Sequence, residues 1–263
     1  MIALPTFRDA FRITLEARVH PAWRGRGVGR ALLGWQLARG REVHAERHPG
    51  SPAVLEVGVH TSMASLAGLV RRAGLAEERW YFVMERPLDE LPVVPAVEGV
   101  ELVSFGWDRD DELRRAHNSA FTEHHGSAER DEVTWRTLYT GQRAFRPELS
   151  TLAVADGAVV AYCLGYELEA DTAANGYAAV DLGQIGVLPS ARGRGLAKAT
   201  ITAVLRAAAQ RGFGRATLQV DSANVTGALA LYEGLGFTRR RTQVSWTRPL
   251  PAAPGVPAGT AAR

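Results

Sequence analysis

Two apolar-rich runs, 150–155 and 159–168, flank Asp156-Gly157, and a β-hairpin is predicted there because Asp-Gly supplies the turn that joins two strands. Upstream, 100–105 reads as a strand and 108–121 as a helix opened by acidic residues, with a second helix over 129–139. Downstream, 179–187 reads as a central strand. The segment 198–210 carries apolar residues at helical spacing and stops at Gly212. A strand over 216–220, a helix over 225–235 and a closing strand over 243–246 complete the series. The predicted order is β-α-α-β-β-β-α-β-α-β, an α/β arrangement with a mixed sheet and helices on both faces.

The chain repeats itself. VHPAWRGRGVGRALL at 19–33 aligns with VLPSARGRGLAKATI at 187–201, and seven of the fifteen positions are identical. Farther on, Ala73-Gly74-Leu75 aligns with Leu235-Gly236-Phe237, and Arg86-Pro87-Leu88 with Arg248-Pro249-Leu250. Two copies of one unit are therefore expected. The first copy, 1–88, lacks the opening strand, two helices and hairpin of the second. Either the natural start lies upstream or the first lobe is half a domain, and the former is the expectation. Half a domain would expose strand edges that recruit a partner chain, which leaves a homodimer open. A Pro-spaced linker is expected at 89–98, a complete domain at 99–250 and a disordered Pro/Gly/Ala-rich tail at 251–263.

Composition narrows the function. Of 263 residues 46% are hydrophobic and 22% charged, the balance of a chain that buries a core. No apolar run is long enough to span a bilayer, and the first residues lack the basic head and apolar core expected of a secretory signal. The lone cysteine, Cys163, makes neither an internal disulfide nor a zinc cluster, so no metal is expected and a reducing cytoplasm is the expected compartment. The net charge is only +3, and the basic residues are arginines apart from Lys198. Arg239-Arg240-Arg241 is the one tight basic cluster and reads as a solvated face, so nucleic acid is not an expected partner.

The chemistry begins at Arg192-Gly-Arg-Gly-Leu-Ala197, between a strand and a helix. Glycines there let successive N–H groups point into one concavity, the helix start adds its positive end, and the arginines add charge. A diphosphate is the expected guest. The spacing differs from the Gly-x-Gly-x-x-Gly and Gly-x-x-x-x-Gly-Lys-Ser/Thr patterns of other phosphate loops.

This loop, preceded by Ile185-Gly-Val-Leu-Pro189 and followed by Asn224 and by Tyr232-Glu-Gly-Leu-Gly-Phe237, resembles the GCN5-related N-acetyltransferase (GNAT) superfamily. The resemblance covers 100–250 in element order and 19–88 for the second half of the unit. The tandem layout is similar to that of the mycothiol synthase group, whose C-terminal domain is the active one. The resemblance implies a GNAT fold with acetyl-CoA as donor and an amine as acceptor. Ile185, Gly186 and Val187 would pair with the pantetheine arm through their backbone. The N–H groups of Arg192, Gly193, Arg194, Gly195, Leu196, Ala197 and Lys198 would hold the pyrophosphate. Asn224 would cap the next helix or touch the arm near its sulfur.

Direct transfer needs a neutral amine and a proton for the departing thiolate. Tyr232 matches the family's catalytic tyrosine, and a phenol with a pKa of about 10 stays protonated beside a thiol of about 8.5. Even spacing predicts Asp181, Gly183, Ile185 and Val187 on one strand face, with Asp181 where the family often has a glutamate. Asp181 is expected as the base, through water, or as an anchor for the substrate ammonium. His124 and His125 fall where the family builds its acceptor pocket and are candidates to bind the acceptor. In the first lobe Val70, Ser62 and Ile13 align with Tyr232, Asn224 and Asp181, so that lobe is expected to be structural or regulatory. An acetyl-CoA-dependent N-acetyltransferase acting on a primary amine of a small molecule or peptide is the leading expectation. A non-catalytic acyl-CoA-binding sensor or scaffold is the alternative.

Overall fold

A computed structural model describes residues 2–5, 11–122, 127–223 and 227–252. One ten-stranded mixed sheet runs through them in the order β1-β2-β3-β10-β4-β9-β8-β7-β6-β5. The strands are β1 (Ile2–Pro5), β2 (Phe11–Thr14), β3 (Ala53–His60), β4 (Ala76–Pro87), β5 (Glu101–Ser104), β6 (Thr151–Ala155), β7 (Ala158–Glu167), β8 (Ala179–Val187), β9 (Arg215–Asp221) and β10 (Thr238–Leu250). The helices are α1 (Val28–Arg47), α2 (Ala64–Arg72), α3 (Asp110–Ala120), α4 (Glu132–Trp135), α5 (Glu169–Asn175), α6 (Leu196–Gln210) and α7 (Ala228–Gly234).

The order β1-β2-α1-β3-α2-β4 recurs as β7-β8-α6-β9-α7-β10. In each run the second and third strands pair parallel, β2 with β3 and β8 with β9. The closing strands, however, are exchanged: β4 lies against β9 of the later run, and β10 lies against β3 of the earlier one. The two then pair with each other along nine positions, with bulges near Arg239 and Ser245. Exchange merges what would be two small sheets into one, and β10 covers the β3 edge.

Matched arginines lock this exchange. The Arg86 guanidinium of β4 donates to the Leu235 carbonyl at the end of α7, and also to Pro87 O at 2.9 Å and Glu90 O at 2.6 Å. Arg248 of β10 donates to the Ala73 carbonyl at the end of α2, at 3.1 Å. Each helix ends on a left-handed glycine, Gly74 (φ +79°) and Gly236 (φ +84°), which turns the chain so that its last carbonyls meet the arginine. Burial holds the Arg86 pKa below its ordinary value, and the Asp89 charge offsets only part of that effect.

Three of the four apolar clusters among the described residues follow the layers. α6 lays Ile201, Val204, Leu205 and Ala208 on Val180, Leu182, Ala216 and Leu218, with Met84 of β4 among them. α1 and α2 do the same with Leu33, Leu37 and Val70 against Ile13, Leu55 and Val57, joined by Val244 and Trp246 of the exchanged β10. A third, aromatic-rich cluster (Phe105, Trp135, Phe145, Tyr162, Tyr166) packs beneath α3 on the opposite face of β7.

Several elements depart from expectation. The second helix expected over 129–139 is one α-turn running into a π-helical turn, Arg136–Thr140, closed by Gly141 N–H donating to Arg136 O at 2.8 Å. α5 falls between the expected strands 159–168 and 179–187, where no element was predicted. The closing strand is thirteen residues long, because exchange gives it partners on both sides. The segment at 89–98 is extended but tied down: Arg206 donates to Pro92 O at 2.9 Å and Arg194 to Glu98 O at 2.7 Å. Arg239 and Arg240 lie on the solvated part of β10, Arg239 paired with Glu233 and Arg240 with Glu85. No helix among the described residues is long and apolar enough to cross a membrane.

Replacing Arg86 with Ala leaves buried carbonyls unpaired, at about 1–3 kcal/mol for each group that water cannot reach. Urea unfolding of Arg86→Ala is expected to show a loss of about 2–4 kcal/mol, and Arg86→Lys, with one point charge in place of a fork, recovers less than half of it.

Candidate active site

Strand β8 is interrupted at one residue. Leu182 faces Gly165 and Gln184 faces Leu164, so Gly183 is an extra residue without a partner on β7. A bulge of this kind bends a strand and sharpens its twist. β8 pairs with β9 only over Ala179–Asp181, and from Leu182 onward the two diverge. The wedge has Asp181 at its apex, and β8 leads from it to the start of α6. Along Ile185, Gly186 and Val187 the β7-facing edge is paired and the β9-facing edge is not.

The bulge also corrects the face assignment. Asp181 lines a cleft of about 270 Å³ with Gly183, Gln184, Leu138, Tyr139 and Tyr166. Ile185 packs on the opposite face with Leu182 and Val180, and Val187 packs with Ala161 and Leu196. One inserted residue inverts the alternation, so Asp181 does not share a face with Ile185 and Val187. The first run has no such bulge. Ile13 faces Leu55, which faces Arg248, while Val180 faces Ala216, which faces Arg86. With Arg86 matching Arg248, the counterpart of Asp181 is Thr14, not Ile13. Val70 does match Tyr232: both are buried and both accept a backbone bond from five residues on, from Leu75 and Phe237.

Glycine is demanded at two places in β8. A Cβ on Gly183 would come within 2.7 Å of the Tyr166 ring, and one on Gly186 within 2.5 Å of Tyr162. In the loop, by contrast, Gly193 (φ +80°) and Gly195 (φ +81°) have open space around them. Their backbone is left-handed, which aims the N–H groups of the turn outward. Arg192, Gly193, Arg194, Gly195 and Lys198 are exposed, Leu196 is buried and Ala197 half-buried. Ala199 N–H donates to Gly195 O at 3.0 Å, so the amides ahead of it are free of the helix ladder, and no acidic side chain occupies the first turn of α6. The arrangement suits an anion. Gly25 and Gly27 (φ +75° and +84°) reproduce this loop at the start of α1.

Tyr232 of α7 is buried beside Phe237, with ring centroids 6.2 Å apart. Burial, reinforced by the nearby Cys163 thiol, pushes its pKa well above the usual value. Cys163 faces Ile185 across β7 and β8. It is fully buried, and that burial together with the Asp181 charge pushes its thiol upward. Asp181 accepts from Thr217 Oγ1 at 2.8 Å. His124, His125 and Asn224 lie outside the described residues. Among the described residues no cluster of three or more His, Cys, Asp or Glu is arranged to hold a metal ion.

The residues that reading the sequence missed are Tyr139, Tyr166, Gln184 and Cys163. The π-helical turn and the bulge bring them together, and neither has a clear sequence signature. Gly183 and Gly186, two residues without side chains in a strand otherwise rich in them, were the available sign of close approach.

Comparisons with known proteins agree with this geometry. A family model described as the acetyltransferase (GNAT) family matches residues 111–237. Mycothiol acetyltransferase of Nocardioides sp. is 34% identical over 237 residues, covering 85% of this chain and 76% of that protein. The protein of the same name from Thermomonospora curvata is 33% identical over 241 residues, covering 90% and 74%. Among solved structures, a GCN5-related N-acetyltransferase from Sphaerobacter thermophilus superposes with a TM-score of 0.72 at 26% identity, over 97% of this chain and 77% of that one. A tandem GNAT protein from the clavulanic acid biosynthesis pathway shares the fold, with a TM-score of 0.64 at 21% identity over 92% and 75%.

Buried tyrosines give the fold an alkaline limit. Tyr166 and Tyr232 are held above their ordinary pKa by burial, so the folded state keeps protons that the unfolded chain gives up near pH 10. Their contribution to stability is complete below about pH 10 and falls as pH rises, by up to about 1.4 kcal/mol per pH unit for each. Urea unfolding between pH 9.5 and 11.5 is expected to show this decline, and Tyr232→Phe to reduce its slope by about one proton.

Proposed function

The chain belongs to the acetyltransferase (GNAT) family and is an N-acetyltransferase, and we propose that it moves an acetyl group from acetyl-CoA directly to a primary amine of a small molecule or peptide at the β8–β9 wedge. The wedge is the observation that carries this reading: a strand edge left unpaired past Asp181, an anion-binding helix start beyond it, and a buried phenol alongside. All three lie in the later run, from β7 to β10.

The pyrophosphate rests on the exposed turn from Arg192 to Gly195 and the first amides of α6, through Leu196, Ala197 and Lys198. The arm lies along the free edge of Ile185, Gly186 and Val187 as an added strand. The acceptor enters the 270 Å³ cleft from the face that bears Asp181. Asp181 takes a proton from the ammonium, directly or through a water. The nitrogen then attacks the thioester carbonyl and the C–S bond breaks as Tyr232 gives its proton to the departing sulfur. The second proton of the nitrogen passes through solvent to the Tyr232 phenolate and restores the phenol, and Asp181 releases the first to solvent. Because burial raises Tyr232, it remains a donor at every physiological pH.

Transfer without a covalent enzyme intermediate is supported by Cys163. Its thiol is buried and its pKa raised, the opposite of what a nucleophilic cysteine needs. The unit at 1–88 keeps the loop but carries Val70 in place of the phenol and Thr14 in place of the carboxylate, and we assign it no catalytic step.

Calorimetric titration with acetyl-CoA is expected to give binding to the folded chain, and its absence would overturn the reading. Tyr232→Phe is expected to lower kcat tenfold or more without changing the acetyl-CoA Kd. Asp181→Asn is expected to lower kcat/KM at pH 7 and to regain part of it as pH approaches the acceptor amine's own pKa. A loss that stays constant with pH would make Asp181 an anchor and not a base.

A further inference from the structure

Three tyrosines stand together behind the acceptor cleft, and two have their hydroxyls engaged within the fold. Tyr162 Oη is 2.7 Å from His117 Nδ1, and Tyr139 Oη accepts from Arg130 Nε at 3.3 Å. Tyr166 differs. Its ring forms part of the cleft wall, it faces Asp181 directly across β7 and β8, and its Oη is buried with no hydrogen-bond partner among the described residues. The ring cannot turn away: Gly183 passes beneath it so closely that a Cβ would overlap it, and Phe145 flanks it with centroids 5.6 Å apart. A buried hydroxyl without a partner costs about 1–3 kcal/mol, and phenylalanine would fill the same space without that cost.

We infer that the Tyr166 hydroxyl is a binding group for the acceptor, taking one N–H of the incoming amine while Asp181 takes the proton that must leave. This rests on the acetyl-transfer reading of the same cleft. A nitrogen held by two groups from adjacent strands has its lone pair turned away from both, toward the wedge where the thioester lies. A phenol suits this task because it accepts a hydrogen bond while remaining neutral. Burial keeps Tyr166 protonated, so it adds no second negative charge beside Asp181. The π-helical turn that carries Leu138 and Tyr139 lines the other side of the cleft.

The test is Tyr166→Phe in the full chain, measured by thermal unfolding without ligands and by steady-state acetylation of glucosamine and of alanine amide with acetyl-CoA. The unfolding midpoint is expected to stay within about 2 °C of wild type or to rise, since an unpaired polar group is removed. The acceptor KM is expected to rise roughly tenfold, within the 5- to 150-fold range that about 1–3 kcal/mol allows, while the acetyl-CoA KM does not change. A midpoint lowered by more than about 4 °C would mean the hydroxyl is bonded within the fold, and that overturns the inference. Unchanged acceptor KM in an equally stable variant overturns it as well, because a trapped water then serves the hydroxyl. Wild-type enzyme that acetylates neither probe nor any other amine sinks the acetyl-transfer reading, and this assignment with it. Wild-type turnover with an unaffected variant sinks this assignment alone.

Discussion

Exchange of β4 and β10 is the constraint from which the rest of the molecule follows. Each closing strand leaves its own run and completes the other, so neither half has a finished sheet without its neighbour. The apolar clusters record the same dependence: Met84 of the earlier run sits in the core under α6, and Val244 and Trp246 of the later run sit in the core under α1 and α2. Arg86 and Arg248 carry the exchange into the helix ends. Each guanidinium caps carbonyls that a helix terminus otherwise leaves unpaired. The position of α7, and hence of Tyr232, is therefore fixed by a residue from the opposite half of the chain.

On that frame the site is made by subtraction. A continuous β8–β9 ladder would fill the space that the proposed donor arm needs. The extra residue at Gly183 halts the ladder after three pairs and turns Asp181 to the face opposite Ile185. Neighbouring side chains follow from the same bend: Tyr166 lies over Gly183 and Tyr162 over Gly186, while Cys163 is fully buried in the cluster that holds Tyr232. Burial raises Tyr162, Cys163, Tyr166 and Tyr232 above their ordinary pKa, so these groups keep their protons, while the Asp181 carboxylate at the edge of the layer accepts from Thr217 and faces the cleft.

Much of this was legible in the sequence, and the part that was not has a single physical origin. Asp156-Gly157, the apolar spacing of α6 and the two Arg-Gly-Arg-Gly turns are local signals, and they located the hairpin, the helix and the loops within a residue or two. The repeat of 19–33 at 187–201 announced two similar units. Strand exchange, the bulge and the π-helical turn depend on which segments meet across long stretches of chain, and nothing near Thr238 or Gly183 encodes that meeting. The bulge had the largest consequence. Counting by twos from Val187 placed Asp181 with Ile185, and counting back from Val19 placed Ile13 opposite it. Both errors are one residue, and in a strand one residue is the whole difference between faces.

The same single residue separates the two copies more sharply than the loss of Tyr232 does. The loops before α1 and α6 have nearly the same backbone: His20 and Leu188 lie at φ −52° and −55°, and Arg24 and Arg192 at −68° and −63°. A helix start and two left-handed glycines are thus present twice. β2, however, runs beside β3 without an inserted residue, and Leu15 N–H continues the pairing to Glu56 O at 2.8 Å. Where β8 sends a carboxylate toward an open cleft, β2 has Thr14, and the counterpart of Thr217 is Glu56, held by Arg12 at 3.2 Å and by Ser245 of the exchanged strand. The earlier copy has spent its polar positions on an ion network that ties β2, β3 and β10 together. Restoring a tyrosine at Val70 would therefore supply a phenol beside a Thr14 hydroxyl and a Glu56 carboxylate already engaged by Arg12 and Ser245. The earlier half of the chain supports the later one by holding β4, and with it Arg86, against α7.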